Sequence, residues 1–212
     1  MKQISVIGFL ILIMVGCDEP IKEIKQTIEE DGNDMVIPEL LVLSSDSGIT
    51  KKQNGDILFK GQPFSGYLIE KYPNDTIALK KGYFEGKQNG IMMAFYENGN
   101  TRYIRPYRNG EKHGTHVGFH RNGVKAFEYH FVNGFSEGNH KEWFASGQLA
   151  TNMNYVNGKE FGKQQAWRAD GKVRSNYIVR ENGRRYGLMG IKRCTKLDGV
   201  TQTVDPYKGT EQ

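Results

Sequence analysis

Large apolar and aromatic residues recur along this chain at intervals of 24 positions. Aligned from Tyr83, Tyr107, Phe131 and Tyr155, four blocks each open on an aromatic and carry a glycine three residues on, at Gly86, Gly110, Gly134 and Gly158. A second glycine follows at Gly90, Gly114, Gly138 and Gly162, then a large ring at Phe95, Phe119, Trp143 and Trp167, then a third glycine at Gly99, Gly123, Gly147 and Gly171. Five columns in phase through four copies define small supersecondary units that bury their apolar faces by stacking on their neighbours.

Turn dipeptides identify the unit. Asn98-Gly99, Asn109-Gly110, Asn122-Gly123, Asn133-Gly134, Ser146-Gly147, Asn157-Gly158, Asp170-Gly171 and Asn182-Gly183 recur every 11 to 13 residues, which leaves segments too short for ordinary helices. Asn-Gly and Asp-Gly supply the positive-φ positions of tight hairpins, so the expected fold is all-β, an elongated array of 24-residue antiparallel hairpins forming a single-sheet meander. With a three-residue turn at each aromatic-x-Asn-Gly corner, Tyr96 pairs with Asn100 and odd-numbered residues line one face of both strands. A two-residue turn would swap the strand parities.

The three-residue turn places a structural ladder of Phe95, Phe119, Trp143, Trp167, Tyr107, Phe131 and Tyr155 on the odd face. The even face carries His116, His120, Glu128, His130, His140 and Glu142 and is expected to be wet, as in sheets with one packed side. The aromatic ladder reads as core; the competing reading is a platform on which ligands stack.

The run Gly86-Lys87-Gln88-Asn89-Gly90, four variable residues, then Phe95-Tyr96-Glu97-Asn98-Gly99 resembles the MORN-repeat variant of bacteria, and chains carrying it are often labelled YwqK-family antitoxins. Asp56 to Gly66, with Tyr72-Pro73-Asn74-Asp75, is similar to a lead-in repeat. The resemblance covers about residues 42 to 190. It implies an elongated hairpin array used for binding, with no catalytic residues to carry over. His120 and Arg168 depart from its pattern, replacing the second aromatic of the pair. The chain divides into residues 1–17 as a signal, 18–41 as tether, 42–82 as lead-in, 83–179 as four full repeats, and 180–212 as partial repeat, cap and tail.

At the N-terminus, Lys2 is followed by an apolar run from Ile4 to Val15, too short for an ordinary membrane span. Met14-Val15-Gly16-Cys17 resembles the lipobox of bacterial lipoproteins, so Cys17 is expected to carry lipid once the leader is removed; an uncleaved anchor is the other reading. Localisation follows as the bacterial cell envelope outside the cytoplasm, with inner and outer membrane undecided. Cys194 is the only other cysteine and has no intrachain partner once Cys17 is modified. Met189 with Cys194 offers a soft pair for copper(I), against an inert buried thiol.

All five histidines fall between residues 113 and 140. Imidazole with carboxylate is an acceptable zinc set, which makes His116, His120 and His140 weak metal candidates, but the spacing matches no ligand motif. No nucleophile elbow, P-loop, HExxH or paired Cys-x-x-Cys is present, so binding is expected rather than catalysis, with no cofactor. The formal net charge is +5, with acidic residues interspersed throughout and no basic run, which argues against nucleic acid. The expectation is therefore a lipid-anchored binding or scaffolding protein with an unidentified protein partner and contact with a membrane through its lipid. An antitoxin or immunity protein that captures a toxin is the alternative, and an enzyme with an unrecognised site a distant third.

Overall fold

The computed structural model describes residues 36–190, all of whose regular elements are strands. The expected signal with Cys17, most of the expected tether, and Cys194 with the residues after it lie outside the described residues.

Before the repeats come β1 (Leu41–Leu43), β2 (Ile49–Lys51), β3 (Ile57–Phe59), β4 (Gln62–Pro63) and β5 (Gly66–Lys71). Four units follow, each made of a long strand, a two-residue return strand and a six-residue strand. They are β6 (Ile77–Phe84), β7 (Lys87–Gln88), β8 (Gly90–Phe95); β9 (Thr101–Arg108), β10 (Glu111–Lys112), β11 (Gly114–Phe119); β12 (Lys125–Val132), β13 (Phe135–Ser136), β14 (Gly138–Trp143); and β15 (Leu149–Val156), β16 (Lys159–Glu160), β17 (Gly162–Trp167). The chain then runs through β18 (Val173–Val179) and β19 (Arg185–Leu188). The main sheet runs β1-β5-β6-β8-β9-β11-β12-β14-β15-β17-β18-β19, and β2, β3 and β4 form a separate three-stranded sheet. Among the described residues only β1 pairs in parallel, with β5; the rest is the expected antiparallel meander.

Both hairpin corners follow from their turn residues. Asn109 (φ 50°) and Gly110 (φ 88°) both sit in the left-handed region, the signature of a two-residue type I′ turn matching the strand twist, and Asn133-Gly134 and Asn157-Gly158 repeat it. At the opposite end, Tyr96 N–H donates to the Asn100 carbonyl and Gly99 N–H to the Tyr96 carbonyl, the expected three-residue corner.

The face assignment is corrected one pair further on. Phe119 pairs with Lys125 but Gly118 pairs with Phe127, so Ala126 is an extra residue, a β-bulge; the same shift occurs at Ala94/Phe95, Glu142/Trp143 and Ala166/Trp167. An extra residue in one strand reverses which parity points to which side. Even residues of the six-residue strands therefore share face A with odd residues of the long strands, and the expected single-faced ladder is split. Tyr107, Phe131 and Tyr155 lie on face A, while Phe95, Phe119, Trp143 and Trp167 lie on face B, half-buried at the corners.

Packing follows the corrected faces. On face B, Ile104 and Val117 are buried, with Ile91, Met93 and Phe119 against them. At the N-terminal end, the small sheet lies over face A, and Ile57 and Phe64 bury Val42, Leu68 and Tyr83 of the main sheet. Further along, face A buries Phe131, Ala166, Tyr177 and Val179 together with His116, His140 and Gln164.

Candidate functional site

The histidines expected on a wet face are instead distributed through the fabric of the repeat. Each long strand meets its following return and six-residue strands across an irregularity at Gly114, Gly138 or Gly162, all at φ 68–70°. There one carbonyl is left with room for a second donor. Pro106 O accepts from His113 N–H and lies 2.8 Å from His116 Nε2; His130 O accepts from Glu137 N–H and lies 2.8 Å from His140 Nε2. One repeat on, Asn154 O accepts from Phe161 N–H and from Gln164 Nε2, while Gln164 Oε1 accepts from Asn154 N–H. A carbonyl can only accept, so His116 and His140 must carry their proton on Nε2. Gln164 performs both exchanges of a peptide group; opposite Pro106, which has no N–H, a single donor suffices.

His116 is 2 % exposed and His140 7 %. His116 lies between the Tyr107 and Phe131 rings at 5.6 and 4.6 Å, and His140 among Tyr129, Phe131 and Tyr155. Burial lowers the His116 pKa to about 4, against the raising influence of the Pro106 bond, and lowers that of His140 as well. Both are neutral core residues at pH 7.

His120 replaces a tyrosine with the same task. Tyr72 Oη and Tyr96 Oη donate to the carbonyls of Phe95 and Phe119, and His120 Nε2 lies 2.8 Å from the Trp143 carbonyl, always one repeat ahead. A third column caps the type I′ turns: Ser65 Oγ, Asn89 Oδ1, His113 Nδ1 and Glu137 Oε2 accept from the backbone N–H of Glu85, Asn109, Asn133 and Asn157. The placement of His113, His116, His120 and His140 thus records three columns, one within the repeat and two between repeats, that accept several residue types.

The six candidate binding residues are accordingly divided. His116, His140 and Glu142 are on face A, where Glu142 accepts from Tyr129 Oη and, together with burial, raises the phenol's pKa. Glu128 and His130 are on face B, and His120 is at a corner. Glu128 bonds Lys125 at 2.6 Å with His130 Nε2 at 3.7 Å; burial acts to raise its pKa, and Lys125, with His130 and Lys141, outweighs that and lowers it. Among the described residues no group of three His, Cys, Asp or Glu side chains could hold a metal ion, and His116, His120 and His140 are each directed at a carbonyl.

Face B changes character along the sheet. Beyond Val117 its partners are Glu128 and His130 on β12, Asn139 and Lys141 on β14, Asn152 and Asn154 on β15, then Lys163 and Gln165 on β17. Asn139 Nδ2 bonds Asn152 Oδ1 and Asn154 Oδ1, giving a ladder of carboxamides across two strands. Glu128 and His130 belong to this polar surface, and sequence parity missed Asn139 and Lys141 because the bulge reverses their side.

Two cavities were not foreseen. One, of about 750 Å³, lies between the small sheet and face A and includes Lys51, Asp56, Glu70, Lys81, Tyr83 and Glu111. The other, of about 730 Å³, opens on face A at the C-terminal end of the sheet.

The repeat family described as MORN repeat variant matches this chain at residues 88–109 and 136–157. The two segments are two 24-residue periods apart and in the same phase. No curated protein matches the chain. Fold and matches together define an all-β hairpin-repeat protein, whose repeats point to a protein-binding or scaffolding role.

Proposed function

We propose that this chain is a lipid-anchored cell-envelope protein whose hairpin array binds a protein partner across the polar part of face B. The observation that carries this reading is the change in face B itself. On β8, β9 and β11 it is spent on Ile104, Val117 and their neighbours, whereas from Glu128 to Asn154 the same positions hold partly exposed ions and carboxamides that fill no core. Polar side chains at fixed spacing on rigid strands can recognise a partner without the cost of ordering a loop. The all-β repeat fold fits a role without catalysis.

Anchoring rests on Met14-Val15-Gly16-Cys17, since Cys17 is the position at which lipid would be attached. Cys17→Ser is expected to leave the protein unprocessed or soluble and unlabelled by palmitate, and equal labelling would refute the anchor. Capture of a toxin is the alternative; its motif-level label applies to a cytosolic task, which an exported chain would not meet.

The binding reading is tested by photo-crosslinking from face B in membranes. Glu128→Ala combined with Lys141→Ala is expected to melt like the parent and lose the crosslinked partner. Undiminished crosslinking in that variant, with the fold intact, would move the surface elsewhere.

A further inference from the structure

At its C-terminal end the repeat loses the side chains that fill face A elsewhere. The column that holds Leu79, Tyr103 and Phe127 in the earlier long strands holds Thr151 and Ser175 in the last two. The vacated space is the 730 Å³ recess, floored by Thr151, Met153, Ala166, Ser175 and Tyr177, with Arg168 and Arg174 at its side and Met189-Gly190 closing one end. Arg174 is exposed, and Arg168 has only a long contact of 3.9 Å to Asp170.

Beside the recess runs β19. It pairs with β18 along one edge, and among the described residues nothing pairs with the other. All four of its residues are exposed. Pairing with β18 sets Tyr186 opposite Ile178 and Leu188 opposite Asn176, so Tyr186, Leu188 and Ile178 form an exposed apolar strip on face B while Arg185 and Gly187 look to face A. An uncovered edge with apolar neighbours is a template for one more strand.

Charge selects the occupant. Residues 159–190 contain eight Lys and Arg against three Asp and Glu, a net of +5 that equals the net charge of the whole chain. The chain's own residues 191–212 contain four basic and three acidic side chains and do not complement it. Its acidic residues 18–35, with seven carboxylates and two lysines, have the right sign but the wrong reach. Twelve strands along the main sheet put β1 and β19 roughly 50 Å apart at about 4.8 Å per step, which nearly exhausts a segment of that length even fully extended.

We propose that the open edge of β19 and the adjoining recess form a docking site for an extended acidic segment of a partner protein, one that adds a strand to the sheet. Acidic side chains of that segment lie on face A towards Arg168 and Arg174, and alternate apolar side chains lie on face B beside Tyr186 and Leu188. Main-chain bonds to β19 give affinity and the arginines give sign and register. The inference rests on the reading of the sheet as a protein-binding surface and names a second contact at its far end.

The test uses the full chain and fluorescently labelled peptides of alternating Glu and Val, alternating Lys and Val, and the Glu-Val peptide N-methylated on alternate backbone nitrogens. The Glu-Val peptide is expected to bind, to slow amide exchange at residues 185–188, and to weaken at least tenfold in R168E/R174E with an unchanged melting temperature. The N-methylated and Lys-Val peptides are expected to lose at least tenfold as well. Equal binding of the N-methylated peptide would show charge capture without strand addition and overturn the proposal. So would undiminished binding to R168E/R174E, self-association through residues 18–35 that excludes the peptide, or preference for anionic vesicles over it. Failure of the peptide with face B crosslinking intact would sink this site alone; loss of both would sink the broader reading.

Discussion

His116 shows how a titratable side chain can be structural. Its folded-state pKa of about 4 lies below the ordinary histidine value, so the folded protein resists a proton that the unfolded chain accepts. Its contribution is complete above about pH 6.5 and is lost as pH falls towards 4, a loss on the order of 3 kcal/mol for a group this buried. Gln164, two repeats further along the same column, suggests the control. His116→Gln can keep a donor on the Pro106 carbonyl while removing the titration, so urea midpoints at pH 7 and pH 4.5 are expected to converge relative to wild type. An unchanged acid sensitivity would place the proton uptake elsewhere. Truncation to Ala has no such rescue: it leaves a cavity among Tyr107 and Phe131 and is expected to cost about 2 to 4 kcal/mol by chemical denaturation.

Within the hairpin, the bulge decides both the faces and the tolerance to substitution. A Cβ built on Gly118 would stand 2.0 Å from the Phe127 ring, which lies stacked 4.8 Å from Tyr129 on face A. Gly118→Ala is therefore expected to destabilise by about 1 to 3 kcal/mol through overpacking, and much of that cost should vanish when Phe127→Leu is combined with it. Additive losses in the double-mutant cycle would mean that the ring is not the obstacle.

The period, the strand boundaries near each Asn-Gly and the three-residue corner were legible because turn chemistry is local. The bulge was not. Ala126 carries no signature that separates an extra residue from a paired one, and a single such residue moved Phe119 and Phe131 to opposite faces. The histidines were misread for a related reason: His116, His120 and His140 are directed at carbonyls 10 or 23 residues away, and only the folded register brings those groups together.

Across the whole molecule, stability is carried by contacts between adjacent repeats, with the small sheet closing the N-terminal end of face A and an open recess at the other. Such an array should tolerate removal of a whole period but not of half of one. Excising residues 107–130 joins Pro106 to Phe131 in the phase at which Tyr107 stood, so every column, bulge and turn cap has an equivalent on each side of the junction. That variant is expected to fold into the same β structure by circular dichroism, with a lower melting temperature because one inter-repeat interface is gone. Excising only 119–130 removes one strand and one corner and brings like strands together in the wrong direction. It is expected to be unfolded or aggregated at the temperature where the 24-residue deletion still melts cooperatively. If both deletions fold equally well, the hairpin pair is not the unit of cooperativity and the columns through His116, His120 and Asn89 do not set the register.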